Sequence, residues 1–224
     1  FNAHNIIVYG KKDQQYLISD PVMETVTSLN AAQLEDVRFA RGPLAPKGHL
    51  YYPVNVQVAS DEQLRKAIKI ALHKNAWWMT RVPFSFIGSS GFKYTANRIR
   101  KWPKKIGLHE SRLNLGQIVR MQEEIGTGGG GFRFIYAAFL EQAAAILQDD
   151  RLAGFSEQIT KSGDLLRASA VKMAAIYKGR NSEQMYFNEI ADGFDEIAFL
   201  IEHSFVAKHL YPTVFDKDLL TRIS

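Results

Sequence analysis

Two kinds of pattern divide the chain. Apolar residues in the first 57 positions cluster in short alternating runs, as in strands, whereas from Ser60 onward they recur every three or four residues, the period of helices with one buried side. FNAHNIIVYG and QYLISD read as two short strands joined by the polar KKD(Q), a hairpin signal without the usual glycine. TVTSLN continues in strand-like composition, AAQLEDVRFAR reads as a short helix, GPLAPKGH as a loop and HLYYPVNVQV as a further strand. A three-residue hairpin loop, Lys11 to Asp13, pairs Gly10 with Gln14, Ile6 with Ile18 and His4 with Asp20. A loop of two or four residues would put His4 and Asp20 on opposite faces, because side chains alternate along a strand.

Ser60 and Gln63 make a capping box that opens a helix with Leu64, Ala67, Ile68, Ala71 and Leu72 on its buried side. Pro83 and the GSSG of residues 88–91 break the chain, and Pro103 is expected to end the next helix. Another helix takes Ser111 as N-cap, lines one face with Leu115, Ile118, Val119, Gln122 and Ile125, and stops at Gly126. After the glycines, Phe132, Ile135, Tyr136, Phe139, Leu140, Ala143 and Leu147 form a core-facing stripe. Two more helices run from about Ser156 to Tyr177 and from Ser182 to about Leu210. The expected fold class is α+β, a β-rich piece over residues 1–57 followed by a mainly α-helical domain over residues 58–224.

Composition narrows the chemistry. No apolar run approaches the roughly 20 residues that span a bilayer, and the absence of cysteine excludes disulfides, thiolate metal sites and a cysteine nucleophile within this chain. A first residue of Phe1, leading straight into strand-like sequence, reads as a processed or truncated piece. Net charge is +5, yet residues 61–120 alone sum to +10, so the excess is local. It concentrates in FKYTANRIRKWPKK, with Arg98, Arg100, Lys101, Lys104 and Lys105, a band suited to an acidic partner or to a solvated helix face. Its aromatics suited to base stacking, Tyr94 and Trp102, are few and expected to be buried, so nucleic acid is not the expected partner.

Gly128, Gly129, Gly130 and Gly131 stand directly before a helix, where free N–H groups and a partial positive charge can hold an anion. A nucleotide-triphosphate loop needs Lys and then Ser or Thr after its last glycine; here Phe132, Arg133 and Phe134 follow, and the residues before the run read as a helix rather than a strand. Two readings stay open: close packing at a helix corner, which the spacing favours, or a phosphate held by the run together with Arg133.

Four stretches, in their order and spacing, carry a resemblance over nearly the whole chain: AHNIIVYG…ISDP, RFARGPLAPKGHLYY, FIGSSGFKYTANRIRKWP and IGTGGGGFRFIYAAFLEQAA. The sequence resembles the C-terminal two-thirds of members of the butirosin biosynthesis protein H (BtrH)-like family, in which a papain-like N-terminal region precedes a helical domain of uncharacterised function. That resemblance implies that residues 1–57 are the C-terminal, β-rich part of a papain-like domain. It assigns His4 as the base that activates a thiol and Asp20 as the residue that orients the imidazole. The cysteine would belong to an upstream part that this chain lacks, so the chain alone is expected to be inactive. The implied reaction moves an acyl or aminoacyl group from a carrier-protein or CoA thioester to a small-molecule amine. A phosphopantetheine donor arm, an acidic acyl carrier protein, no tightly bound cofactor, no metal, no membrane and a cytoplasmic location complete the expectation. Two alternatives stand beside it: an amidase or peptidase-type hydrolase, and a non-catalytic helical interaction module.

Overall fold

A computed structural model describes residues 5–20, 23–42, 45, 48, 57–124 and 129–204. The chain divides into two compact units, Phe1–Val58 and Ala59–Ser224, and its combination of helices with one small sheet makes it a mixed α and β protein.

In the first unit, strands β1 (Ile7–Lys12), β2 (Gln15–Ser19) and β3 (Thr27–Leu29) form an antiparallel sheet in the order β1-β2-β3. The hairpin turns on two residues, Asp13 (φ 48°) and Gln14 (φ 64°), both left-handed as a type I′ turn requires. This corrects the expected three-residue loop. Lys12 pairs with Gln15 and Gly10 with Leu17, and an irregularity between Val8 and Gly10 shifts the register so that Val8 faces Ile18 and Ile7 faces Ser19. Asp and Gln supply the turn in place of glycine, a substitution that the short polar Asp side chain tolerates. Ile18, only 1% exposed, anchors the sheet. Helix α1 (Ala31–Arg38) opens on a reciprocal cap in which Gln33 N–H donates to Asn30 Oδ1 (2.9 Å) and Asn30 N–H to Gln33 Oε1 (3.0 Å). Most of the expected strand HLYYPVNVQV lies outside the described residues.

The second unit is helical: α2 (Asp61–Thr80), α3 (Gly88–Val119), a π-helical turn at Arg120–Glu124, a 3₁₀ turn at Gly130–Phe132, then α4 (Arg133–Leu147), α5 (Arg151–Tyr177) and α6 (Gln184–Ser204). The Ser60–Gln63 capping box is present. The buried line of α2 is Ile68, Leu72 and Ala76, while Leu64 and Ala67 are exposed, so the burying face is narrower and one turn later than the spacing predicted. GSSG is the first turn of α3 rather than a break. It is glycine-rich because a Cβ at Gly88 would meet the Met79 carbonyl oxygen at 2.3 Å and one at Gly91 the Phe86 carbonyl oxygen at 2.8 Å.

Pro103 does not end α3. The backbone breaks four residues later at Gly107 (φ 80°, ψ 163°), and Ser111, expected as an N-cap, lies inside the second segment with its hydroxyl donating to the Gly107 carbonyl at 2.6 Å. Proline removes one donor from the helix, whereas only glycine readily takes the positive φ that redirects the chain. On α4 the expected stripe holds at Leu140 and Ala143 but fails at Phe132 and Ile135, which are exposed.

Helix α6 packs on α3 and α5, and α5 packs on α4. Phe187, Ile190, Ile197 and Ile201 of α6 are fully buried with Ile99 and Leu115 of α3 and Ile159, Met173 and Ile176 of α5. Ion pairs border this seam: Lys93–Glu202 and Arg100 with Asp192 and Asp195 link α3 to α6, and Lys172–Glu189 and Lys161–Glu196 link α5 to α6.

The position of the α2 stripe predicts a contrast. Leu72→Ala should lower unfolding free energy by about 2–5 kcal/mol and Leu64→Ala by under about 1 kcal/mol; urea melts of the two variants measure both.

Candidate functional site

Asp20 is half-buried at the end of β2, and its carbonyl accepts the Met23 N–H at 3.2 Å. His4 lies outside the described residues. The observed register sets Val8 rather than Ile6 opposite Ile18, and the expected His4–Asp20 pairing lies outside the described residues.

The glycine corner is built by backbone conformation. Gly129 (φ 78°), Gly130 (φ 57°), Gly131 (φ 56°) and Phe132 (φ 66°) are four successive left-handed residues, three of them free of the Cβ penalty. Gly128 lies outside the described residues. A Cβ at Gly130 would stand 2.7 Å from the Phe134 ring and 3.4 Å from the Gly163 Cα of α5, and one at Gly163 would meet the same ring at 2.9 Å and Arg133 Cβ at 3.1 Å. The run therefore lets the backbone lie directly against α5. The Gly130 N–H donates to Glu123 Oε1 at 3.3 Å, and that carboxylate oxygen also accepts from the Gln122 carboxamide (2.7 Å), which binds the Leu166 carbonyl as well (2.8 Å). Arg167 sits 4.0 Å from the other Glu123 oxygen and over the Phe134 ring. The protein's own carboxylate thus meets the backbone donor that a phosphate would use.

Arg133, the first residue of α4, donates to the Gly131 carbonyl at 3.0 Å and lies 5.4 Å from the centre of the Phe92 ring. Its Nε is buried without a hydrogen-bond partner, and among the described residues no carboxylate comes within ion-pair distance of it. Burial pushes its pKa down to about 10, against an opposing influence of Tyr136, whose own phenol is pushed up by burial.

The basic band occupies one long face of α3. Tyr94, Asn97, Arg98, Lys101, Trp102 and Lys105 follow one another at helical spacing and line a depression of about 380 Å³. Lys101 and Lys105 also border a second depression of about 570 Å³, with Arg100 and Lys104 of α3 and Gln184 and Asn188 from the first turns of α6. The structure separates the five basic residues into two kinds. Arg100 is committed to Asp192 and Asp195 (2.7 Å), which raise its pKa, so it ties α3 to α6 while bordering the second depression. Lys101, Lys104 and Lys105 are exposed and pair with no carboxylate among the described residues, and Arg98 rests over the Tyr94 ring. The sequence pointed to the cations but not to Gln184 and Asn188, brought in from 80 residues away by the α6 seam; nor did any spacing identify Glu123 as the carboxylate at the glycines.

Residues 32–208 match the model of a family described as a domain of unknown function, DUF4872. The chain belongs to the DUF4872 family. The match begins inside α1, so the DUF4872 region takes in the end of the first unit as well as helices α2 to α6. No curated protein matches the DUF4872 chain.

Two outcomes follow for the corner. Gly130→Ala should destabilise by about 2 kcal/mol or more, from the left-handed penalty and the Phe134 overlap, as chemical denaturation would register. Because the fold disfavours the charged Arg133 at every pH below about 10, with relief only as pH rises through that value, Arg133→Met should melt at or above the parent temperature at pH 7. Added phosphate should leave both melting temperatures unchanged, as expected of a packed corner; stabilisation of the parent alone would identify Arg133 as an anion ligand.

Proposed function

We propose that this chain is the C-terminal portion of a cysteine-dependent acyltransferase whose helical unit receives an anionic thioester donor on the outer face of α3. The observation that carries the docking role is the set of cations there, Arg98, Lys101, Lys104 and Lys105, on one helix face around two ligand-sized depressions. The chemistry rests on the resemblance stated above. A thiolate supplied from another part of the protein would attack the thioester carbonyl, with the donor thiol leaving. The base would then deprotonate the incoming amine as it attacks the acyl-enzyme, forming the amide and releasing the cysteine.

His4 is the proposed base and Asp20 its orienter. His4 lies outside the described residues, so this pair rests on the resemblance alone. The phosphopantetheine arm is a donor in this scheme, held at the basic face rather than at Gly129–Gly131, whose packing on Gly163 and Glu123 supports a structural role. The exposed apolar side chains of edge strand β1, Ile7, Val8 and Tyr9, offer a surface for the rest of a catalytic domain. A hydrolase would use the same residues with water as acceptor, and an interaction module would use the α3 face alone.

Stopped-flow association with an acidic acyl carrier protein tests the docking role. Lys101→Glu with Lys105→Glu should slow association about tenfold or more at low salt, with the difference shrinking as salt rises and stability nearly unchanged. Equal rates for variant and parent would reduce the face to solvated surface, and equal slowing with duplex DNA would reassign it to non-specific polyanion binding. The chain alone, lacking cysteine, should turn over no thioester; turnover would sink the mechanism.

A further inference from the structure

The two depressions on α3 adjoin, sharing Lys101 and Lys105, but their walls differ in kind. One side offers aromatic rings: Tyr94, 44% exposed, and Trp102, half-buried with its inner side packed on the helical core, with the Asn97 carboxamide beside them. The other offers Lys104 with the shared Lys101 and Lys105, together with amides at the start of α6. Gln184 there donates to the Arg100 carbonyl (3.0 Å) and to Asn188 Oδ1 (3.2 Å). With its oxygen satisfied, Asn188 has its NH₂ group left to donate. Asp192 and Asp195, acids of α6, are both bound to Arg100, and among the described residues neither pairs with a lysine.

We infer that this face binds a nucleoside phosphate, its base against Tyr94 and the exposed part of Trp102 and its phosphates among Lys101, Lys104, Lys105 and Asn188. The inference rests on the reading of α3 as the donor face and names the donor's handle: a thioester carried on a nucleotide. Each half alone is ordinary, exposed aromatics or exposed lysines. What points to one molecule is their continuity along a single helix face, Tyr94 to Lys105, about 16 Å at 1.5 Å per residue, and volumes of about 380 and 570 Å³ that suit a small ligand. Planar bases stack on aromatic faces, and phosphates pair with ammonium groups and amide donors. An acidic protein surface would use the lysines but has no need of the rings, and a nucleic-acid strand calls for a longer series of stacking platforms than the two rings, Tyr94 and Trp102, of this face. Arg98, resting over the Tyr94 ring, can either yield that ring to the base or cover the base from outside.

Calorimetric titration of the protein with ADP, adenosine, pyrophosphate and a short oligoadenylate tests this. ADP should bind tighter than adenosine or pyrophosphate. Tyr94→Ala should weaken ADP by about tenfold, the loss of one base stack, while leaving pyrophosphate unchanged, and Lys101→Glu with Lys105→Glu should weaken both. Circular dichroism melts keep the variants comparable, since all three side chains are exposed. No ADP binding, equal affinities for ADP and pyrophosphate, or indifference to Tyr94→Ala would overturn the inference; tighter binding of the oligonucleotide than of ADP would give the groove to nucleic acid instead. Carrier-protein association measured on the same variants separates the two failures. If it stays sensitive to charge reversal while ADP does not bind, only the nucleotide handle fails, and if neither ligand responds, the donor-face reading fails with it.

Discussion

The helical unit depends on the burial of α6. Phe187, Ile190, Ala191, Phe194, Ile197, Ala198 and Ile201 form one continuous apolar stripe, none more than 4% exposed, and each large member removed from water contributes about 1.5–3 kcal/mol. Sinking that stripe between α3 and α5 fixes which side of α3 faces inward, with Ala96, Ile99 and Leu115 down. The cations at Arg98, Lys101 and Lys105 then have to point away. The same docking carries Gln184 and Asn188 up to the lysines, so the composition of the candidate site is a by-product of core packing. The bordering ion pairs are mostly exposed and add little energy, but they match acidic α6 to basic α3 and α5 and so disfavour a rotated alternative.

A second constraint acts where α3 gives way to α4. Just before α4 the chain lies against α5, and it does so with left-handed glycines whose missing side chains let backbone approach Gly163. Close approach strands backbone donors, and Glu123 reaches the Gly130 N–H from a π-helical turn, a wider winding that often marks such local adjustment. Three unusual features, the π turn, the glycine run and the desolvated Arg133, occur within fourteen residues at this corner.

Periodicity was a good guide wherever a helix was long and one face was apolar. The capping box at Ser60 and the short α1 lie where spacing placed them, and α5 ends at the expected Tyr177 although it begins earlier, at Arg151. It misled where a residue's usual meaning depends on context. Pro103 looks like a stop but a helix survives one missing donor, while Gly107, unremarkable in the sequence, makes the break. The hairpin turn took Asp13 and Gln14 into left-handed conformations that favour glycine, and the later irregularity shifted the register again; neither is coded by alternation. Of the site, the cations were legible because charge clusters survive without tertiary information. The difference between Arg100, held by two aspartates more than 90 residues away, and the lysines beside it was not, because it is purely tertiary.

That division among the cations has a chemical consequence. The arginine is consumed by the fold, so the depression between α3 and α6 owes its outward charge to primary amines. A guanidinium keeps its charge through nearly every cellular condition, but a lysine loses it when its nitrogen is acylated. Acylation of Lys101, Lys104 or Lys105 by any reactive acyl donor would therefore erase the attraction of this face for anions while leaving the helix packing intact.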